Sequence, residues 1–323
     1  MRFAFDEDQL TFRDAARELL ERECPSSVVR EAWTSETGGA PKAWNELAQM
    51  GVLGVLAPES AGGLGLTALD LVLVLEETGY AALPEPVVEH AAVAIPMLDD
   101  AAAAAREDEV ITTPFHHDAV APYANRADRF LMFRDGAFHM VERADVSLEP
   151  RASVDGARRL AEVTWDPSTA LRVAEGGAAG TGFDRGAWGT AAQLVGLTRR
   201  MLDMTVDYVK GREQFGVAIG SFQAVKHHLA DARIALEFAR PLVYRAAWSI
   251  AHDDPDRSTH VSMAKATASD AATLTAAKAL QCHGAMGYSY EYDLHLFMKR
   301  AWALAAAWGD AAWHRGRVGR AIL

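Results

Sequence analysis

Cysteine is nearly absent from this sequence: Cys24 and Cys282 are the only two in 323 residues. Two cysteines cannot make a disulfide framework, and neither has a neighbour at metal-ligand spacing. Both are expected as buried, small apolar side chains in a reducing compartment. Long hydrophobic runs are missing too. No stretch approaches the roughly 18 apolar residues that cross a bilayer, and MRFAFDEDQLTFRD carries acids where a signal peptide needs an apolar segment. The expected location is therefore the cytoplasm. Clustered positive charge is the third absence. With 32 Lys and Arg against 44 Asp and Glu, the net charge is -12, which excludes a surface built for nucleic acid or anionic lipid. The histidine pairs His116-His117 and His227-His228 lack the i,i+4 spacing that aims two rings at one ion, so they read as surface or packing residues and no metal is expected.

What is present is apolar and helical. Half of the chain is hydrophobic, enough for a sizeable core. Leu10, Phe12, Ala15, Ala16, Leu19 and Leu20 share one helical face over residues 5–22, with Asp6, Glu7 and Asp8 in its first turn. Further helices are expected over 41–50, from a Thr67 cap to Gly79, and through the Ala-rich stretch 86–107. Near residue 109 the pattern shifts to short β-prone runs at 110–112, 130–133, 138–141, 146–148 and 160–163. Asp135-Gly136 is a hairpin signal between two of them. These runs predict a small antiparallel β-region. The helical period returns at Phe183 and predicts long helices to about Tyr208, from Phe222 to Trp248 with a bend at Pro241, over about 258–282, and from about Asp293. The fold class is mainly α with a small β-domain. An N-terminal helical domain spans 1–108, a reduced β-domain 109–173 and a C-terminal four-helix bundle 174–323.

Between two of the long helices lies REQFGVAIGSFQ, Arg212 to Gln223, which on composition is a helix connector broken at Gly216 and Gly220. With FDEDQLTFRDAARELL, the P-E-x-x-G-G-x-G run at Pro58 to Gly65, SFQAVKHHLAD and QCHGAMGY at Gln281 to Tyr288, it resembles the signatures of acyl-CoA dehydrogenases, in order and along nearly the whole chain. That resemblance implies α,β-dehydrogenation of an acyl-CoA with FAD, at sites each built from two subunits. It implies that Arg212 faces the FAD pyrophosphate and Phe215 the adenine, and that Gln214 and Gln223 add polar contacts. The backbone through Gln281, Gly284, Ala285 and Gly287 would approach the diphosphate, with Ala285 standing where the family usually has a glycine.

The same comparison of motifs leaves the catalytic base missing. The family's Glu after Q-x-x-G-G-x-G aligns with Trp308, ahead of a matching Gly309, and the alternative position on the first bundle helix aligns with Gly186 and Ala187. No catalytic residue is therefore expected in this chain. Asp310 and Asp184 are the nearest carboxylates; two residues along a helix is a turn of about 200°, which points each away. Asp310 reads otherwise as a helix cap and Asp184 as a surface or loop acid. The family's flavin-wrapping run is also unrecognisable, its nearest text being AVAPYANRAD. The resemblance is thus to the non-catalytic short subunit of actinobacterial steroid side-chain acyl-CoA dehydrogenases, which pairs with a Glu-bearing partner as an α2β2 heterotetramer. The alternatives are a self-sufficient homo-oligomer using Asp310, and a flavin-free scaffold or acyl-CoA binding protein.

Overall fold

The computed structural model describes residues 4–36, 38–98, 109–114, 119–175 and 178–323, so His116 and His117 lie outside the described residues. Helix α1 (Glu7–Glu23) starts at Asp6, whose carboxylate accepts the Gln9 N–H while the Gln9 side chain accepts the Asp6 N–H. A second helix, α2 (Ser26–Thr34), follows Pro25 and is not among the expected elements: it has no side-chain cap and carries the adjacent β-branched residues Val28 and Val29. Helix α3 (Pro41–Gln49) opens on a proline, and α4 (Ala68–Tyr80) on the Thr67 cap with Asp70 closing the reciprocal bond. From Leu71 to Gly79 every residue of α4 is buried, so its polar groups need partners. Glu77 takes Arg17 at 2.8 Å and Arg199 at 2.6 Å, and Glu76 faces Arg240 at 3.7 Å.

The Ala-rich segment departs from the α-helix expected over 86–107. Val88–Ala94 winds as a π-helix and Ile95–Met97 as a 3-10 turn. Pro96 has no N–H to extend an α-helical ladder. Residues 99–108 lie outside the described residues.

Two small sheets follow. One has the order β1 (Ile111–Thr112), β3 (Arg129–Arg134), β4 (Ala137–Glu142), β7 (Leu171–Glu175); the other runs β2 (Val120–Ala121), β6 (Ala161–Trp165), β5 (Val146–Pro150). Asp135 and Gly136, at φ 53° and 79°, close the β3–β4 hairpin as expected. The region is not wholly antiparallel, however, because β1 runs parallel to β3. Strands β2 and β7 have no clear sequence signal, one being two residues long and the other an edge strand with Leu171 exposed.

The C-terminal helices are α5 (Ala178–Gly211), α6 (Gln223–Ala251), α7 (Arg257–His283), α8 (Leu294–Ala306) and α9 (Ala311–Ile322). Pro241 sits inside α6, which continues through it. Buried Ala264, Ala268, Ala271, Ala272, Ala276 and Ala279 let α5 and α6 pack close to α7. The single last helix expected from Asp293 is two helices, broken where Trp308 and Gly309 take left-handed φ values of 56° and 86°. The bundle meets α4 backbone to backbone: a Cβ on Gly196 would lie 1.9 Å from the Glu76 carbonyl oxygen, and one on Gly79 2.1 Å from that of Gln193.

Candidate functional site

Arg212 to Gln223 is a hairpin rather than a simple connector. Strands β8 (Glu213–Gln214) and β9 (Val217–Ala218) pair antiparallel across a two-residue turn, Phe215-Gly216, at φ 53° and 79°. That turn favours Asn-Gly or Asp-Gly. A phenylalanine in the left-handed region costs about 1–2 kcal/mol, and here its ring recovers nothing by burial, being 95% exposed. Such strain points to a role outside the chain's own packing. The Arg212 backbone is pinned by its N–H to Tyr208 O (2.9 Å) and its carbonyl to the Ile219 N–H (2.8 Å). Its guanidinium is exposed and makes no ion pair or hydrogen bond among the described residues. Gln214 is exposed, donating to the Glu213 carbonyl at 2.7 Å, and Gln223 is exposed at the first position of α6.

The Gln281–Tyr288 segment lies at the same end of the bundle. Tyr208, one turn before the hairpin, stacks on the His283 ring at 4.2 Å and so ties the end of α5 to the end of α7. Gln281, Gly284 and Ala285 are exposed; Gly284 has φ 58°, and a Cβ there would meet open space. Gly287 differs, being buried with a would-be Cβ 2.7 Å from Leu280 Cδ1, so internal packing already accounts for that glycine.

Gly186 and Trp308, the positions where motif spacing leads one to expect the base, lie together. A Cβ on Gly186 would fall 2.5 Å from the Trp308 indole, so the buried indole lies directly on the glycine and fills the space between them. Phe183 meets the indole edge-on at 6.1 Å. The left-handed turn is held from below. Lys265 Nζ donates to Ala305 O and Gly309 O, each at 3.0 Å, and to Ser269 Oγ at 3.1 Å; burial lowers its pKa to about 7. His314 Nε2 reaches Trp308 O at 2.8 Å, and burial pushes this imidazole down to about 4. Asp310 is exposed and caps α9, accepting the Trp313 N–H at 2.8 Å. Asp184 is not the surface or loop acid expected: it is fully buried in α5 and bound by Ser258 (2.7 Å), Arg257 (3.3 Å) and Arg317 (2.6 Å). Trp308→Ala should lower unfolding free energy by about 3–5 kcal/mol in urea denaturation, the cost of emptying a packed aromatic site.

Between the sheets and the bundle, a cluster of buried polar groups has no sequence signature. Tyr123, in AVAPYANRAD, is buried at φ 55°, and its N–H donates to Arg158 O at 2.6 Å. Asp155 pairs with Arg300, which also donates to Leu83 O at 2.9 Å, while Arg158 reaches Ala303 O at 3.5 Å. Burial works against the Arg300 charge, but the Asp155 carboxylate more than offsets it and raises the Arg300 pKa. Nearby Glu89 has its pKa raised by burial. Asp155 and Arg300 are 145 residues apart, beyond any local pattern.

Sequence profiles described as acyl-CoA dehydrogenase, N-terminal domain and C-terminal domain match residues 6–111 and 176–323. Acyl-CoA dehydrogenase IpdE2 of Mycolicibacterium smegmatis is 33% identical over 301 residues, covering 91% of this chain and 92% of that one. This chain belongs to the acyl-CoA dehydrogenase family. The fold matches a chain of the ChsE4-ChsE5 complex from Mycobacterium tuberculosis with a TM-score of 0.89 at 24% identity, over 99% of this chain and 98% of that one. It matches a variant of the Tcur3481-Tcur3483 steroid ACAD with a TM-score of 0.88 at 24% identity, over 98% of both. Acyl-CoA dehydrogenases are FAD-dependent oxidoreductases, and their arrangement of mainly helical structure around a small sheet region is the one seen here. Among the described residues no helix is long and apolar enough to cross a membrane.

Proposed function

We propose that this chain is the non-catalytic subunit of a heteromeric FAD-dependent acyl-CoA dehydrogenase and completes the FAD site of a partner that carries the catalytic Glu. The observation that carries the proposal is the contrast between an outward-turned hairpin and a filled base position. Arg212 has no partner among the described residues and Phe215 is exposed, its ring edge-on to Phe222 at 6.3 Å, which suits an anionic pyrophosphate and an aromatic adenine from outside. Gln214, Gln223, Gln281, Gly284 and Ala285 are exposed around them, while Gly287 sets the turn from inside. A bound FAD would supply the hydride acceptor for the β-hydrogen of an acyl-CoA, with the α-proton going to a carboxylate of the partner. The residues of this chain bind and orient; they move no proton. Trp308 occupies the base position, and an indole nitrogen accepts no proton at neutral pH. The Asp155–Arg300 pair and buried Tyr123 tie the β-region to the bundle.

The partner in this reading is a second acyl-CoA dehydrogenase subunit in an α2β2 assembly, with cytoplasmic, steroid side-chain CoA thioesters as substrates. Support comes from the structural neighbours, one a two-component complex and the other a steroid ACAD. Co-expression with such a partner should give a yellow, active complex, whereas robust turnover by this chain alone would overturn the proposal. Asp310→Asn separates the relocated-base alternative. Asn caps helices about as well as Asp, so stability should change by no more than about 0.5 kcal/mol, and the initial rate of the complex should be unchanged. Abolished activity with flavin intact would make Asp310 the base.

A further inference from the structure

Helix α6 carries two apolar faces. Ala232, Leu236, Ala239 and Val243 form the one buried in the bundle. On the opposite side Gln223, His227, Ala230, Ile234, Phe238 and Pro241 recur at steps of three and four residues, and all six are exposed. The outermost line of a solvated helix is usually its most polar one. From Ala230 onward this line has no polar side chain, and Ile234 and Phe238 are 55% and 70% exposed. The charges stand on its flanks. Arg233 and Glu237 pair at 2.8 Å on one side, and Asp231 pairs with Lys278 of α7 at 3.2 Å on the other. Leu274, one turn before Lys278, is exposed too and widens the strip toward α7. An apolar strip inside a charged rim is the layout of a protein interface.

The place of the strip decides what covers it. Its first residue is Gln223, beside the hairpin that presents Arg212 and Phe215, and its last, Pro241, lies about 27 Å along the helix. That is no more than the diameter of a small domain. A subunit whose FAD reaches Gln223 therefore already stands over one end of the strip, and its own helices extend over the rest. We propose that the α6 strip is the surface on which the partner subunit docks, through an apolar helix face laid along Ala230, Ile234 and Phe238. This rests on the reading of Gln223 as a contact of the partner's FAD, and adds that the protein surface, not the cofactor, holds the two chains together.

The test is gel filtration with light scattering of the full chain co-expressed with its Glu-bearing partner. Phe238→Glu and Ile234→Glu each place a charge in the strip at an exposed position, so the chain should fold as before. Its affinity for the partner should fall by about 30-fold or more in either variant. Arg212→Ala should lose flavin and keep the mass of the complex. The surface is wrong if both Glu variants leave the complex intact, a result that spares the flavin-site reading. Dissociation of the Arg212→Ala complex along with its flavin would mean that the cofactor holds the chains, which overturns the inference. The occupant is wrong if the chain alone forms a dimer that Phe238→Glu splits without affecting the partner complex. A parent chain that forms no complex with the partner sinks both this inference and the reading beneath it.

Discussion

Arg212→Ala in the assembled complex should reduce FAD affinity by roughly 10- to 100-fold, the range expected for removing a hydrogen-bonded charged group from an anion. The chain itself should fold as before. Arg212 is exposed, its side chain has no partner among the described residues, and its two backbone bonds to Tyr208 and Ile219 do not depend on the side chain. The measurement is flavin retained per complex after gel filtration, read against the melting temperature of this chain. Phe215→Ala should act in the same direction with less effect, since it removes a stacking surface but keeps the Cβ and the left-handed backbone. If Arg212→Ala retained full flavin, the hairpin would not contact the cofactor and the scaffold reading would gain.

The second large effect is on stability. Asp155→Ala should cost about 3–5 kcal/mol in urea denaturation, because it strands the buried Arg300 guanidinium against the Leu83 carbonyl with its counter-charge gone. Replacing both partners by apolar residues of similar volume, as in Asp155→Leu with Arg300→Met, should recover most of that loss, since neither charge is then left unpaired. A double mutant as unstable as Asp155→Ala would mean that packing, and not the ion pair, holds the β-region to the bundle. The Asp155 carboxylate also accepts the Ala157 N–H at 3.1 Å, so a residual deficit in the double mutant is expected.

Several elements were legible because their causes are local. The Thr67 cap and the hairpin turn at Asp135-Gly136 rest on contacts within a few residues, and Asp6, expected as an acid of the first turn, caps α1. Helix α2, the π-turn at Val88–Ala94 and the two-residue strand β2 were not: α2 has no side-chain cap to mark its start, and the other two are too irregular or too short to display a period. Asp184 shows the limit most clearly. An acid beside Gly186 has no sequence feature that distinguishes a loop from a buried ion-pair centre, and its partners Arg257 and Arg317 arrive from α7 and α9.

By itself the sequence determined the family and the helical, sheet, helical order, because motif spacing and hydrophobic period are properties of the chain's linear pattern. Motif spacing alone led to the expectation that Trp308 and Gly186 stand at the base positions. Only the tertiary structure decided that these two positions are one place, with the Trp308 indole lying on Gly186, and that REQFG turns its Phe outward at a strained φ. The physical reason is that steric filling and exposure depend on which distant segments meet. Residues 186 and 308 come together only when α5 packs against the α8–α9 break.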